Sequence, residues 1–364
     1  MKNQSYPERI RLTQLDGLRG WASLIVLFHH LLTCFLTKVT PILIYTNSLF
    51  VTNGHFAVVI FFVLSGLALS INFNLLNTNI FQIFLARYLR LLIPIFATSL
   101  AAYFLLKMGL MSTNKIIDAD IKFSGWIDHF YRFEASFDGL LKFCFYDIFF
   151  SYSQDKTYNP NLWTMSIELV GSYLIYIYLF IFSKLKNNSP KIFFLGTATL
   201  FLTLFSQYTL ISCFLFGLLL SEIMQKINFN QKNWRAEIFL LAIFILILSI
   251  NTHSSEKREC IMAGILILTI SYSNFLKKIF SNKLSLFLGK ISFPLYLVQM
   301  LVISTWSTSL FIYLDKLSLN KPFLSTITFI SSVVICLLVA YLITPIEKFS
   351  IKFSKVMTKK IIGN

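Results

Sequence analysis

Charge is scarce in this chain. Of its 364 residues 13% are charged and 56% hydrophobic, and that balance excludes an ordinary soluble globular protein, in which about a quarter of the residues are charged. Histidine is scarcer still. His29, His30, His55, His129 and His253 are all there are, which argues against a metal enzyme, so no metal ligands are assigned. The five cysteines, Cys34, Cys144, Cys213, Cys260 and Cys336, are odd in number with no short paired spacing. They give neither a disulfide framework nor a zinc site and read as small apolar helix residues. A glycine-rich phosphate loop, a His-Glu-x-x-His pair and a Gly-x-Ser-x-Gly elbow are all missing, which removes the usual nucleotide-binding, zinc-hydrolase and serine-hydrolase designs. The first apolar run is too long and too polar in mid-course for a signal peptide, so an uncleaved first span is expected.

Long apolar runs take the place of what is missing. They lie near residues 20–38, 56–72, 88–107, 162–183, 191–206, 208–224, 236–250, 260–276, 290–311 and 323–345, and they predict an all-α, polytopic transmembrane bundle of about ten spans. The weakest division is that of 191–224 around Ser206 and Gln207. A net charge of +16 would suggest nucleic acid in a soluble protein. Here the positive-inside rule accounts for it, and the bilayer, not nucleic acid, is the expected partner. With ten spans and the N-terminus inside, one set of loops collects most of the lysines and arginines. The other set holds most of the acids, Asp118, Asp120, Asp128, Glu134, Asp138, Asp147, Asp155, Glu256, Glu259 and Asp315 among them, which supports N-in, C-in. One long loop, about 108–161, then lies outside, rich in aromatics such as Trp126, Tyr131, Tyr146 and Tyr158. It is too short for an enzyme domain and fits either an ordered cover or a re-entrant segment around 138–152. The chain reads as one integral-membrane domain over 1–364 with no appended soluble domain.

Ionisable groups inside apolar spans are expensive and mark pathways or reaction sites. The stretch LDGLRGWASLIVLFHHLLTC holds Arg19 and His30 eleven residues apart. Eleven steps of about 100° return close to the same helix face, with a rise of roughly 16 Å, so a cation at the helix mouth and an imidazole near mid-bilayer share one stripe. His29 points about 100° away. In FLARYLRLLIP, Arg87 and Arg90 stand at i and i+3, either as ordinary positive-inside anchors or as a forked pair for a phosphate-rich ligand. In NPNLWTMSIELVGSYLIY, Glu168 sits within a span and requires a partner, with His30, His29 or an arginine as candidates. Ser65 and Gly66 suit close helix packing, and Trp163 suits an interfacial anchor. His55, Ser166, Tyr296 and Gln299 add further polar groups to the helices.

Taken in order, LDGLRGWASLIVLFHH, VIFFVLSG, ARYLRLLIP, NLWTMSIE and LGKISFPLYL resemble the acyltransferase-3 family of bacterial integral-membrane acyltransferases, from about residue 12 to 350. The resemblance implies a ten-helix enzyme of the bacterial cytoplasmic (inner) membrane. Such an enzyme takes an acyl group, commonly acetyl, from cytosolic acyl-coenzyme A and delivers it to a hydroxyl of an extracytoplasmic acceptor. That acceptor is usually a carbohydrate such as lipopolysaccharide O-antigen, capsule or exopolysaccharide. No permanently bound cofactor is implied. The family's functional arginine and histidine fall on Arg19 and His30, its Arg-x-x-Arg on Arg87 and Arg90, and its glutamate on Glu168. Ala57, Val59 and Gln299 stand where many members have Gly, Asp and His. On this reading Arg19, Arg87 and Arg90 hold the donor's phosphates, and a pantetheine arm on the order of 15 Å long matches the helix rise to His30. His30, poised by Glu168, acts as general base or acyl carrier. His29, His55, Trp163, Ser166, Tyr296 and Gln299 are candidates on the acceptor side. A secondary transporter or flippase of an envelope precursor is the rival reading, since it also places charge at depth.

Overall fold

In lipid every backbone N–H and C=O has to be bonded within the chain, so a sequence this apolar is driven into helices. The computed structural model describes residues 12–38, 40–71, 79–111, 130–182, 188–204, 208–226, 234–249 and 255–362, and among them there is no strand. Helix α1 (Thr13–Phe28) runs without a break into a π-helical stretch, His29–Phe35. It is followed by α2 (Gly54–Ile71) and by α3 (Ile80–Lys107), which Asn79 caps by accepting from the Phe81 N–H at 3.0 Å. A short α4 (Phe137–Lys142) precedes α5 (Thr164–Phe182), which is entered through the tight turn Pro160–Trp163. Next come α6 (Asn188–Leu204), α7 (Thr209–Lys226), α8 (Trp234–Ser249), α9 (Glu256–Tyr272) and α10 (Asn274–Phe280). Helix α11 (Lys283–Val302) continues through a second π-helical stretch, Ile303–Ser307, into α12 (Thr308–Asp315), and α13 (Lys321–Ile362) closes the chain.

Among the described residues six segments are long and apolar enough to cross a bilayer: Thr13–Phe35, Gly54–Ile71, Ile80–Lys107, Pro160–Phe182, Lys283–Asp315 and Lys321–Ile361. A seventh is reached if α9 and α10, bent by 99°, act as one. The expected ten is reached only if α6, α7 and α8 also cross. They have 17, 18 and 16 residues, or about 24–27 Å of helix against a hydrocarbon core of roughly 30 Å.

Glycine sets the packing at the centre. A Cβ on Gly20 would lie 2.3 Å from the Gly289 nitrogen, and one on Gly17 would strike Phe280 and Ser285, so α1 lies backbone to backbone against α11. The Trp21 indole donates to Ser285 at 3.0 Å in the same seam. Because the contacts advance together along both helices, α1 and α11 run parallel. Gly66 and Gly217 make an equally close contact between α2 and α7. Buried fractions rank the helices: 72% of the apolar window in Lys283–Asp315 is enclosed against 22% in Lys321–Ile361. Thus α11 is central and α13 peripheral, and large side chains on the rim such as Phe104, Ile181, Phe239 and Leu342 are exposed, as a lipid-facing surface requires.

Of the expected long loop, Trp126 and His129 lie outside the described residues. From Phe137 to Phe150 the chain is helical, with Leu140, Phe143, Cys144, Ile148 and Phe149 buried. The Tyr88 hydroxyl of α3 donates to the Phe145 carbonyl at 2.8 Å. This is an ordered segment packed on α3.

Candidate active site

A cavity of about 390 Å³ lies among α1, α2, α3, α5, α11 and α13. It collects the charged residues that the sequence scatters: Asp16 and Arg19 from α1, Arg87 and Arg90 from α3, Glu168 from α5 and Glu347 from α13. Three positive and three negative side chains therefore share one cavity, and how they pair decides what it can hold.

Arg87 and Glu168 pair with each other. An Nη of Arg87 donates to the Glu168 carboxylate, the Nε of Arg87 donates to Ser172 at 2.9 Å, and Ser65 donates to Glu168 at 3.0 Å. Both charges are buried, 8% and 9% exposed, so each is held mainly by the other. Of the partners the sequence offers Glu168, the arginine is the one it takes; the expected Glu168–His30 pair is not formed. The physical reason is that a guanidinium stays charged at every relevant pH and offers several donors to a carboxylate, which a neutral imidazole does not. It also means that Arg87 is committed to Glu168 and Ser172 of α5.

At the open end the situation is different. Arg90 is exposed and Arg19 half-buried, and both lie within electrostatic reach of Glu347. These two cations share the cavity with the two remaining carboxylates, Asp16 and Glu347.

The opposite end is closed by Tyr296 of α11, whose ring meets Phe61 edge-on at 6.4 Å between centroids. The Tyr296 hydroxyl donates to the Asn161 carbonyl and lies 2.8 Å from the Thr164 hydroxyl. The Asn-Pro-Asn turn before α5 fixes this wall, because the Asn161 amide donates to the Tyr296 carbonyl at 3.0 Å and the Asn159 amide to the Leu297 carbonyl at 2.7 Å. All three side chains, Asn159, Asn161 and Thr164, are buried.

His30 does not line the cavity. It is 8% exposed, faces Gln299 and lies edge-on to the His29 ring at 5.6 Å. The register of the parallel pair explains its place. Gly20 is level with Gly289, and ten residues further His30 is level with Gln299. The cavity reaches Tyr296, so His30 lies three residues beyond its end, about 4.5 Å of helix rise. The structure thus brings together Arg19, Arg87, Arg90, Glu168 and Tyr296, and sets His30, His29 and Gln299 behind Tyr296.

The remaining candidates are elsewhere. The Nδ1 of His29 contacts the Thr52 carbonyl at 2.8 Å, so this atom carries the hydrogen. His55 is held by two acids of α9, Glu259 at 2.5 Å and Glu256 at 3.5 Å, outside the cavity. Trp163 is half-buried at the start of α5, and the Ser166 hydroxyl donates back to the Trp163 carbonyl at 3.3 Å. Ala57 and Val59 are plain core residues. Sequence reasoning missed Ser65 as a partner of Glu168, reading it as packing, and missed Asn159, Asn161 and Thr164 as the frame of the wall. The Asn-Pro-Asn run before a span that carries a buried acid was the available signal.

A helical bundle with six segments long and apolar enough to cross a bilayer among its described residues, enclosing a buried Arg87–Glu168 pair, defines a multi-pass membrane protein. The chain matches the acyltransferase-3 family model, described as an acyltransferase domain, over residues 12–344, and it belongs to that family. It is therefore a multi-pass membrane protein of that family. It is also similar to the O-acetyltransferase PaAT-1 of Phomopsis amygdali, at 25% identity over 39% of this chain and 36% of that protein, so it spans well under half of that relative. No solved structure matches.

Proposed function

We propose that the protein is an O-acyltransferase that moves an acyl group, acetyl first of all, from acyl-coenzyme A to a hydroxyl of an extracytoplasmic carbohydrate such as O-antigen, capsule or exopolysaccharide. In this proposal the membrane is the bacterial cytoplasmic (inner) one, with both termini inside. The observation that carries the reading is the cavity itself, with cations at one end and His30 just past the other. Arg19 and Arg90 take the donor's phosphates in exchange for Glu347, since phosphate oxygens offer a guanidinium stronger, charge-assisted bonds. Arg87, already neutralised by Glu168, shapes the wall. The thioester arm extends past Phe61 and Phe62 to Tyr296, whose side chain has to turn aside before the acyl carbon reaches His30. As the acceptor oxygen bonds to the acyl carbon, His30 takes the hydroxyl proton, the carbon–sulfur bond breaks, and the proton passes to the departing sulfur. The relative's printed activity, O-acetyl transfer, supports acetyl as the group moved.

The test uses full-length protein in lipid nanodiscs with labelled acetyl-coenzyme A and membranes carrying candidate glycolipids. Wild type releases thiol and labels the glycan, and His30→Ala abolishes transfer. Arg90→Gln raises the donor KM about tenfold, the equivalent of one lost charge-assisted bond. Full transfer by His30→Ala, or an unchanged donor KM in Arg90→Gln, would overturn the proposal.

A further inference from the structure

From residue 348 to residue 360, helix α13 carries five lysines and no acid. At about 100° per residue, Lys348, Lys352, Lys355 and Lys359 fall within roughly 60° of one another, a single stripe about 16 Å long. All four are exposed. Roughly 130° round the helix, Ser350, Ser354 and Thr358 are buried, and α13 packs there against its neighbours in the bundle, α3 and α11. That packing holds the lysine stripe outward. Like charges at i and i+4 repel, and Lys348, Lys352 and Lys359 meet no carboxylate among the described residues. Solvated helix faces relieve such repulsion by alternating sign, and this one does not.

Two further features say what covers the stripe. Phe349 and Val356 lie about 80° from its centre and are 57% and 47% exposed. An apolar ridge beside a row of lysines is the pattern of a helix lying at a bilayer surface, where the ridge enters the headgroup boundary. The lysine stems then lie along apolar surface while their ammonium groups reach the phosphates. Position agrees with pattern. The apolar run before the stripe, about 323–345, is roughly 34 Å of helix and fills a hydrocarbon core of roughly 30 Å. Lys348 therefore stands where the headgroups begin, and the helix continues beyond it to Ile362. Pro345 falls at the same boundary, and proline is where helices bend.

We propose that residues 348–360 form a docking strip for anionic phospholipids, whose headgroup phosphodiesters in the leaflet on that side of the membrane neutralise the lysine stripe. None of the five lysines lines the cavity, so lipid binding at the strip is independent of the acyl-transfer reading above.

Full-length protein in dodecyl maltoside micelles is given equal amounts of dioleoyl-phosphatidylglycerol and dioleoyl-phosphatidylcholine, and the lipid it retains is counted by native mass spectrometry. Wild type retains the anionic lipid at least tenfold over the zwitterionic one, since one lysine near an anionic surface contributes about fivefold in affinity. Combining Lys348→Gln, Lys352→Gln, Lys355→Gln and Lys359→Gln lowers that ratio at least fivefold, and arginine at the same four positions keeps it. A control combines Lys107→Gln, Lys278→Gln, Lys283→Gln and Lys316→Gln, four exposed lysines elsewhere. It has the same net charge as the first variant and changes the ratio less than twofold. Equal loss in both glutamine variants assigns the preference to net charge and overturns the strip. A wild-type ratio in the first variant overturns it as well. So does a raised KM for acetyl-coenzyme A there with the lipid ratio unchanged, which would assign the stripe to the donor.

Discussion

Replacing Glu168 by glutamine keeps the length of the side chain and its ability to accept from Ser65, and removes only the charge. What it leaves behind is the Arg87 guanidinium, 8% exposed and held otherwise by Ser172. Removing one member of a buried ion pair costs about 3–5 kcal/mol, because the survivor remains desolvated and unpaired. The site is that kind of pair: both groups are enclosed, and one guanidinium nitrogen bonds the carboxylate directly. Glu168→Gln and Arg87→Gln should therefore each lose about 3–5 kcal/mol in chemical unfolding in mixed micelles. The double variant Arg87→Met with Glu168→Leu should recover most of that, since no charge is then left buried, and the non-additivity should exceed 0.5 kcal/mol, the lower end for groups in contact. The same variants separate this arrangement from the pairing expected from sequence, in which Glu168 poises His30. A catalytic partner of His30 would show as a fall of about 10²–10⁴ in kcat without loss of stability. If Glu168→Gln unfolds at the wild-type denaturant concentration but loses that much kcat, the reasoning from the ion pair is refuted.

Two further outcomes follow from the wall and from the glycine seam. Tyr296→Phe and Thr164→Val each remove one side of the hydroxyl contact that closes the cavity while keeping the volume. Both should raise thiol release from acetyl-coenzyme A relative to transfer, as water from the His30 side reaches the donor, and this is checked by running the thiol assay and the labelled-transfer assay side by side. Gly20→Ala places a Cβ 2.3 Å from the Gly289 nitrogen, so α1 and α11 must separate. Overpacking of this kind costs about 1–3 kcal/mol, visible as a lowered unfolding midpoint, and it should impair transfer more than donor binding because it shifts His30 against Tyr296.

Much of the fold could be read from the sequence because the bilayer leaves few choices: apolar length specifies helices, and charge at depth specifies where they must meet. The gathering of Arg19, Arg87 and Arg90 in one place was visible in that way. Two things were not. The partner of Glu168 depends on how α3 turns its buried face towards α5, and a helix period alone does not say which of several cations arrives. The separation of His30 from the cavity depends on a residue of another helix, Tyr296, and on a turn 135 residues earlier, Asn161. Such long-range closure leaves no trace in the pattern of either segment. The three shorter helices α6, α7 and α8 illustrate a further limit. Composition marks them as apolar, but at 16 to 18 residues tilt and local bilayer thickness decide whether they cross.

The glycine seam between α1 and α11 also has an evolutionary consequence. Gly20 and Gly289 pin the two helices at one end, and ten residues on each side then set His30 against Gln299. An insertion of a single residue in either interval would carry its side chain about 100° around the helix and about 1.5 Å along it, which breaks the pair. A change of length in a loop leaves this pair in register, whereas a change in one of these two intervals alone does not. On the acyl-transfer proposal, a donor with a longer arm would therefore require both helices to lengthen at once.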